Sequence, residues 1–152
     1  MTVAYLRDPE AIYQQSFATI RGETDLSKHP EDIADIVVRL IHACGMTDIV
    51  EDIFYSPDVA SSAKEALKRG APIICDSRMV AEGIISSLLP ANNEVLCWNK
   101  HPECIQLANK MGTTLSAAAV EFWRPPLSGA VVAVGNAPTP LFRLLELLAH
   151  GE

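Results

Sequence analysis

No stretch of this 152-residue chain approaches the ~18 consecutive apolar residues of a membrane-spanning helix, and no basic segment followed by an apolar run opens it as a signal peptide would. The expectation is a cytoplasmic protein. Its four cysteines, Cys44, Cys75, Cys97 and Cys104, show no C-x-x-C spacing, and Cys75 and Cys97 lie inside apolar strand-like runs. We therefore expect reduced, buried thiols, with neither a disulfide nor a metal site. Positive charge is scarce: 12 Lys and Arg against 19 Asp and Glu leave a formal charge of -7, whose field repels the phosphates of nucleic acid. There is no G-x-G-x-x-G or P-loop spacing, no internal repeat and no low-complexity tract. An anionic ligand must be held by local features.

What remains is ordinary globular material. At 49% hydrophobic and 20% charged, residues 1–152 read as a single domain with a sizeable core. Short apolar runs at 49–54, 72–75, 94–98 and 130–134 read as strands. Helix-like segments follow them, an alternation that predicts an α/β fold with a mainly parallel sheet. Asp8-Pro9 caps a first helix containing Ser16, Phe17 and Arg21. Ser56-Pro57 opens a helix ending at Gly70, and His101-Pro102 one closing near Gly112. Thr114 caps a segment running to Trp123, and Thr139-Pro140 begins an amphipathic helix through Leu141, Leu144, Leu145 and Leu148.

The helix ending in Ile41-His42-Ala43-Cys44-Gly45 carries the most chemical information. Pro30, Glu31 and Asp32 suit its start, and Gly45 suits a left-handed exit. Ile33, Ile36, Val37, Leu40, Ile41 and Cys44 recur at helical spacing as one apolar stripe. His42 falls about half a turn away, with Asp35 and Arg39, so it points off the core of its own subunit. A helix C-terminus favours a cationic side chain, and histidine is the side chain best suited to trading a proton near neutral pH. His42 is either a solvated surface histidine or a proton donor held ready.

In parallel sheets ligands gather beyond the carboxyl ends of the strands. Asp76 and the turn Gly135-Asn136-Ala137-Pro138 belong to that rim, and the helix starting at Thr139 points free backbone N–H groups there. The alternatives are a plain strand-to-helix turn, and Asp76 as a cap for the segment containing Met79 and Val80.

Taken in order, Ile12-Tyr13, Ser16-Phe17, Ile20-Arg21, Arg39 to Gly45, Gly70-Ala71-Pro72-Ile73, Cys75-Asp76, Met79-Val80, Leu89-Pro90-Ala91, Asn93-Glu94-Val95 and Gly135 to Thr139 span nearly the whole chain. Their ordered set resembles the precorrin-8X methylmutase family, including its cobalt-precorrin-8 counterpart. The resemblance implies a flavodoxin-like three-layer α/β/α fold and a homodimer with its site near the subunit interface. It also implies isomerisation, without an added cofactor, of a polycarboxylate tetrapyrrole from corrin biosynthesis. In that reaction a methyl group moves between adjacent carbons of ring C, giving hydrogenobyrinic acid or its cobalt form. His42 matches the family histidine that acts as general acid. On the substrate side the resemblance points to Ser16, Arg21, Asp76, Met79, Ser116, Asn136 and Thr139, with Arg21 as first candidate for a carboxylate contact. Ser16 reads alternatively as a small packing residue, and Arg39 as half of an ion pair with Asp35 or as a ligand contact.

Two departures stand out. Where many members read Thr-Arg-Ser this chain has Thr114-Leu115-Ser116, so one cation is replaced by an apolar side chain. Members also continue past Gly151 with a strand containing Pro-Val-Gly-Phe and a segment containing Arg-Gly-Arg, whereas this sequence ends at Glu152. The sheet is accordingly expected to lack its last strand. The alternatives to an isomerase are a non-catalytic tetrapyrrole-binding relative that kept the fold, or a doubly wound phosphate binder using the Thr139 helix.

Overall fold

The computed structural model describes residues 3–151, which form two compact units, one reaching Ala60 and the other beginning at Ser61. In the first unit, α1 (Pro9–Glu23) starts at Asp8, whose carboxylate accepts from the Ala11 N–H at 2.8 Å. This is the cap that the Asp-Pro pair predicts. Helix α2 (Glu31–Cys44) follows and stops at Gly45, whose φ of 72° is the left-handed exit that glycine adopts without a Cβ penalty. Ile33, Val37, Val38 and Ile41 of α2 meet Ile20 of α1 in a buried core, with Phe17, Leu26, Ile49, Val50 and Ile53 packed against it.

Two expectations fail here. Residues 49–54 are not a strand: Thr47–Asp52 form a 3₁₀ helix, and Ile53 onward is extended. The apolar positions 49, 50 and 53 follow helical spacing rather than alternation, which puts all three side chains on one side, against α1 and α2. The stripe on α2 is also turned. Ile36 and Leu40 are each 43% exposed and Cys44 is exposed, while Ala34 and Val38 are buried in their place. Both shoulders of α2 are apolar, and the core occupies the one carrying Ala34 and Val38.

Helix α3 (Val59–Lys68), most of which belongs to the second unit, begins later than Ser56-Pro57 suggests because those residues form a turn. The sheet contains β1 (Ile73–Cys75), β2 (Val95–Leu96) and β3 (Val131–Ala133), all parallel, in the order β2-β1-β3. Ile73 is in register with both Val95 and Val131. Central strand β1 is buried throughout, as its unbroken apolar run requires. Helices α4 (Arg78–Gly83), α5 (Pro102–Met111), α6 (Leu115–Ala119) and α7 (Thr139–Ala149) complete the unit. Ile74, Val120, Trp123 and Leu147 form one buried cluster, and Cys104, Ala108, Ala118 and Ala119 another. The result is a mixed α/β fold on a parallel sheet. On α7 the buried residues are Pro140 and Leu147, with Leu144 packed beside them, so the expected stripe is displaced and Leu141, Leu145 and Leu148 are exposed. Among the described residues no helix is long and apolar enough to cross a membrane.

One electrostatic knot braces α7. Arg143 donates through Nε to Glu121 at 2.7 Å and through Nη1 to Glu146 at 2.8 Å, and Arg124 donates to the same Glu121 at 3.0 Å. Partial burial pushes the Glu121 carboxyl up, but the hydrogen bonds from Arg143 and Arg124 outweigh it and hold the group below the ordinary carboxylate range. A carboxyl whose folded value is lowered adds stability above its unfolded value, and that stability disappears as pH falls through the folded one. Urea midpoints measured from about pH 6 to about pH 4 should therefore fall further for the wild type than for Glu121→Gln.

Candidate active site

His42 lies in the last turn of α2 with its side chain exposed, as its helical phase predicts. Three residues of α1 hold the imidazole. Ser16 Oγ sits 2.7 Å from Nδ1, the Tyr13 ring lies 5.4 Å from the imidazole at an interplanar angle of 38°, and the Phe17 ring meets it edge-on at 5.4 Å and 79°. Positions 13, 16 and 17 share a face of α1 by the i, i+3, i+4 rule, so one helix face supplies the whole socket. With Nδ1 engaged, Nε2 is the nitrogen left for proton transfer, and no hydrogen bond from a described residue occupies it.

Ser16 is half-buried, with its hydroxyl engaged by the histidine. Arg21, one turn further along α1, pairs with Asp35 of α2, the two side chains being 45% and 62% exposed. Such an exposed pair contributes little to stability, and its guanidinium can exchange Asp35 for a ligand carboxylate. Because Asp35 is taken by Arg21, the expected Arg39–Asp35 pair does not form. The Arg39 guanidinium lies instead over the Phe17 ring, 5.4 Å from its centroid. Tyr13 and Phe17 are the contributions that residue-type reasoning overlooked. Their spacing from Ser16 was the available signal.

The remaining candidates belong to the second unit. Asp76 follows β1 directly, is fully buried, and accepts from three backbone N–H groups: Gly135 at 3.1 Å, Asn136 at 3.0 Å and Ala137 at 3.1 Å. It ties the loop after β3 to the end of β1. The cap of α4 is Ser77, which accepts from Val80, so Asp76 is not that cap. With both oxygens committed beneath the loop, Asp76 reaches a ligand only through the loop it shapes. Gly135 is needed there because a Cβ would come within 2.9 Å of Val80 Cγ2. Asn136 is exposed on the loop, and Thr139, the first residue of α7, shares a 2.8 Å hydroxyl hydrogen bond with Thr114. Ser116 is buried and accepts from Asn99 at 3.2 Å, which turns it away from solvent, whereas neighbouring Leu115 is 41% exposed. Met79 is 64% exposed on α4. Asp76, at the end of β1, thus holds the loop after β3 that carries Asn136 and leads to Thr139, while Ser16, Arg21 and His42 lie where α1 and α2 meet in the first unit.

Comparison with known proteins decides the family. The precorrin-8X methylmutase family model matches residues 11–152. The chain belongs to the precorrin-8X methylmutase family. A precorrin-8X methylmutase from Sinorhizobium sp. is 52% identical over 147 residues, covering 97% of this chain and 70% of that protein. The one from Pseudomonas aeruginosa is 51% identical over 149 residues, covering 98% and 72%. Among solved structures, precorrin-8X methylmutase from Thermus thermophilus matches with a TM-score of 0.82 at 32% identity, over 93% of this chain and 69% of that one. Membership gives the exposed imidazole socket a chemical context that exposure alone does not.

Proposed function

We propose that this protein is an isomerase of cobalamin biosynthesis that converts precorrin-8X to hydrogenobyrinic acid by moving a methyl group between adjacent carbons of ring C, with His42 as general acid. The observation that carries this reading is the imidazole fixed at Nδ1 by Ser16 and flanked by Tyr13 and Phe17, with Nε2 unengaged. A cationic imidazole donates Nδ1–H to Ser16 and keeps Nε2–H for the tetrapyrrole. Protonation draws electron density from the conjugated system, the methyl migrates to the adjacent electron-poor carbon, and loss of a proton restores neutrality. Atoms balance without an external donor, as an isomerisation demands.

Substrate carboxylates need cations that an acidic chain must supply locally. Arg21 is the leading candidate because its present partner is an exposed Asp35, and Arg39, held only over a ring, is the second. Within the second unit, Asn136 and Thr139 at the loop tied by Asp76 are proposed as polar substrate contacts, with Met79 as an apolar one. Ser116, buried on Asn99, is proposed as a supporting residue rather than a ligand contact. Relatives about half identical to this chain bear the cobalt-free substrate's name, which favours precorrin-8X over its cobalt form.

We also propose one functional domain, which the family match across residues 11–152 supports, and a cytoplasmic location. Exposed Ile36 and Leu40 on α2, and Leu141, Phe142, Leu145 and Leu148 on α7, support a homodimer.

The test is to add precorrin-8X, and separately its cobalt form, to purified protein and follow the absorption spectrum. The proposal expects conversion, faster with the cobalt-free compound. Binding of precorrin-8X without conversion would favour the non-catalytic alternative. Ser16→Ala, which frees Nδ1, should lower kcat roughly tenfold with little change in KM.

A further inference from the structure

Three side chains surround His42, and only Ser16 fixes one of its atoms by a hydrogen bond. That contact restrains the ring at Nδ1, and the residual swing of the Nε2 edge through χ1 and χ2 is limited by what packs against it. The structure blocks the swing with two rings of α1: Phe17 set edge-on at 79°, and Tyr13 tilted at 38°, each with its centroid 5.4 Å from the imidazole. The two rings also brace each other at 6.0 Å and 77°. Phe17 belongs to the packed interior of the unit, being half-buried against the core and covered by Arg39. Tyr13 is different. It is 47% exposed, and its phenol makes no hydrogen bond to a described residue. A large aromatic ring in that situation does little for folding, yet it makes two defined ring contacts, one of them to the proposed acid.

We propose that Tyr13 is a positioning residue for the reaction. Its ring forms the solvent-side wall of the His42 socket and holds the imidazole plane so that Nε2 faces the substrate in one orientation. The inference rests on the isomerase reading and on His42 as its acid. The contribution belongs to the ring and not to the hydroxyl, since the contacts to His42 and Phe17 are both ring contacts. Proton transfer needs donor and acceptor aligned near hydrogen-bond distance, so a ring free to rotate spends most of its time misaligned.

The experiment compares wild type, Tyr13→Leu and Tyr13→Phe under saturating precorrin-8X, with binding of the product measured separately and the His42 ring nitrogens observed by ¹⁵N NMR. Wild-type turnover is the control. If it is absent the isomerase reading fails, whatever Tyr13 does. With turnover present, Tyr13→Leu should lower kcat by roughly 10- to 100-fold while KM and product affinity change less than about threefold. The same variant should shift the His42 nitrogen signals from their wild-type positions, and Tyr13→Phe should restore both rate and signals. Wild-type kcat in Tyr13→Leu would overturn the inference. So would a loss confined to KM and product affinity, which would make Tyr13 a binding platform. Failure of Tyr13→Phe to restore the rate would overturn the claim that the ring suffices.

Discussion

Replacing His42 by alanine should reduce kcat on precorrin-8X by about 10²–10⁴-fold, the range expected when a positioned general acid is removed. Binding should survive, because His42 is exposed and the core of its unit is built from Ile20, Ile33, Val37, Val38 and Ile41. The separation of binding from turnover is the informative part. His42→Ala should retain product affinity within a fewfold and unfold at a denaturant concentration close to that of wild type. A variant that lost folding and activity together would say nothing of acid catalysis. A variant that kept wild-type kcat would remove His42 from the mechanism.

The largest expected effect on stability comes from Asp76→Asn. The carboxylate is fully buried and serves three backbone donors, Gly135 on one oxygen and Asn136 and Ala137 on the other. An amide offers one acceptor where the carboxylate offers two, so at least one backbone N–H must face an NH₂ group whichever way the amide turns. Each buried donor left unsatisfied costs about 1–3 kcal/mol, and the charge assistance lost by the others adds to it, so unfolding free energy should fall by about 2–4 kcal/mol. Urea denaturation measures this directly. A change near zero would mean that the loop does not depend on Asp76. Gly135→Ala should act in the same direction by a different route, since its Cβ would meet Val80 Cγ2 at 2.9 Å.

Local chemistry explains what the sequence made readable. The Asp8 cap of α1, the Gly45 exit of α2 and the Thr114 cap of α6, which accepts from Ala117, are decided within a few residues. The exposure of His42 was readable from its place opposite the 33, 36, 37, 40, 41, 44 stripe; with the core on the shoulder of Ala34 and Val38, His42 stands one turn past Val38 at the edge of the buried face, where α1 reaches it. That shoulder was not readable. Ile36 and Leu40 are as hydrophobic as Val38, and only the packing of α1 and the 3₁₀ helix selects between them. The 49–54 run was misread for a related reason: six residues can hold either periodicity, and burial against helices favours the helical one.

Long-range chemistry was least visible. Asp76 reaches residues 59 to 61 positions away, and Asn93 donates across 22 and 26 positions to the carbonyls of Ala71 and Leu67. No local pattern marks such residues, which resemble caps and turns until their partners are known. Ser116 depends on local placement instead. The family resemblance offered it as a ligand contact, and helix α6 turns it inward to Asn99. The Ser16–His42 contact is intermediate: both residues were identified separately, and only the packing of α1 on α2 joins them.

The central claim is that this chain moves a methyl group with a proton from His42. The most direct test uses precorrin-8X carrying ¹³C in the ring-C methyl that migrates and in the adjacent ring carbon that receives it, observed by NMR as protein is added. The account predicts that the labelled methyl resonance is replaced by one coupled to the neighbouring ring carbon in the presence of wild type, and persists unchanged in the presence of folded His42→Ala. A labelled methyl that stays on its original carbon with wild-type protein, while the compound is demonstrably bound, would contradict it.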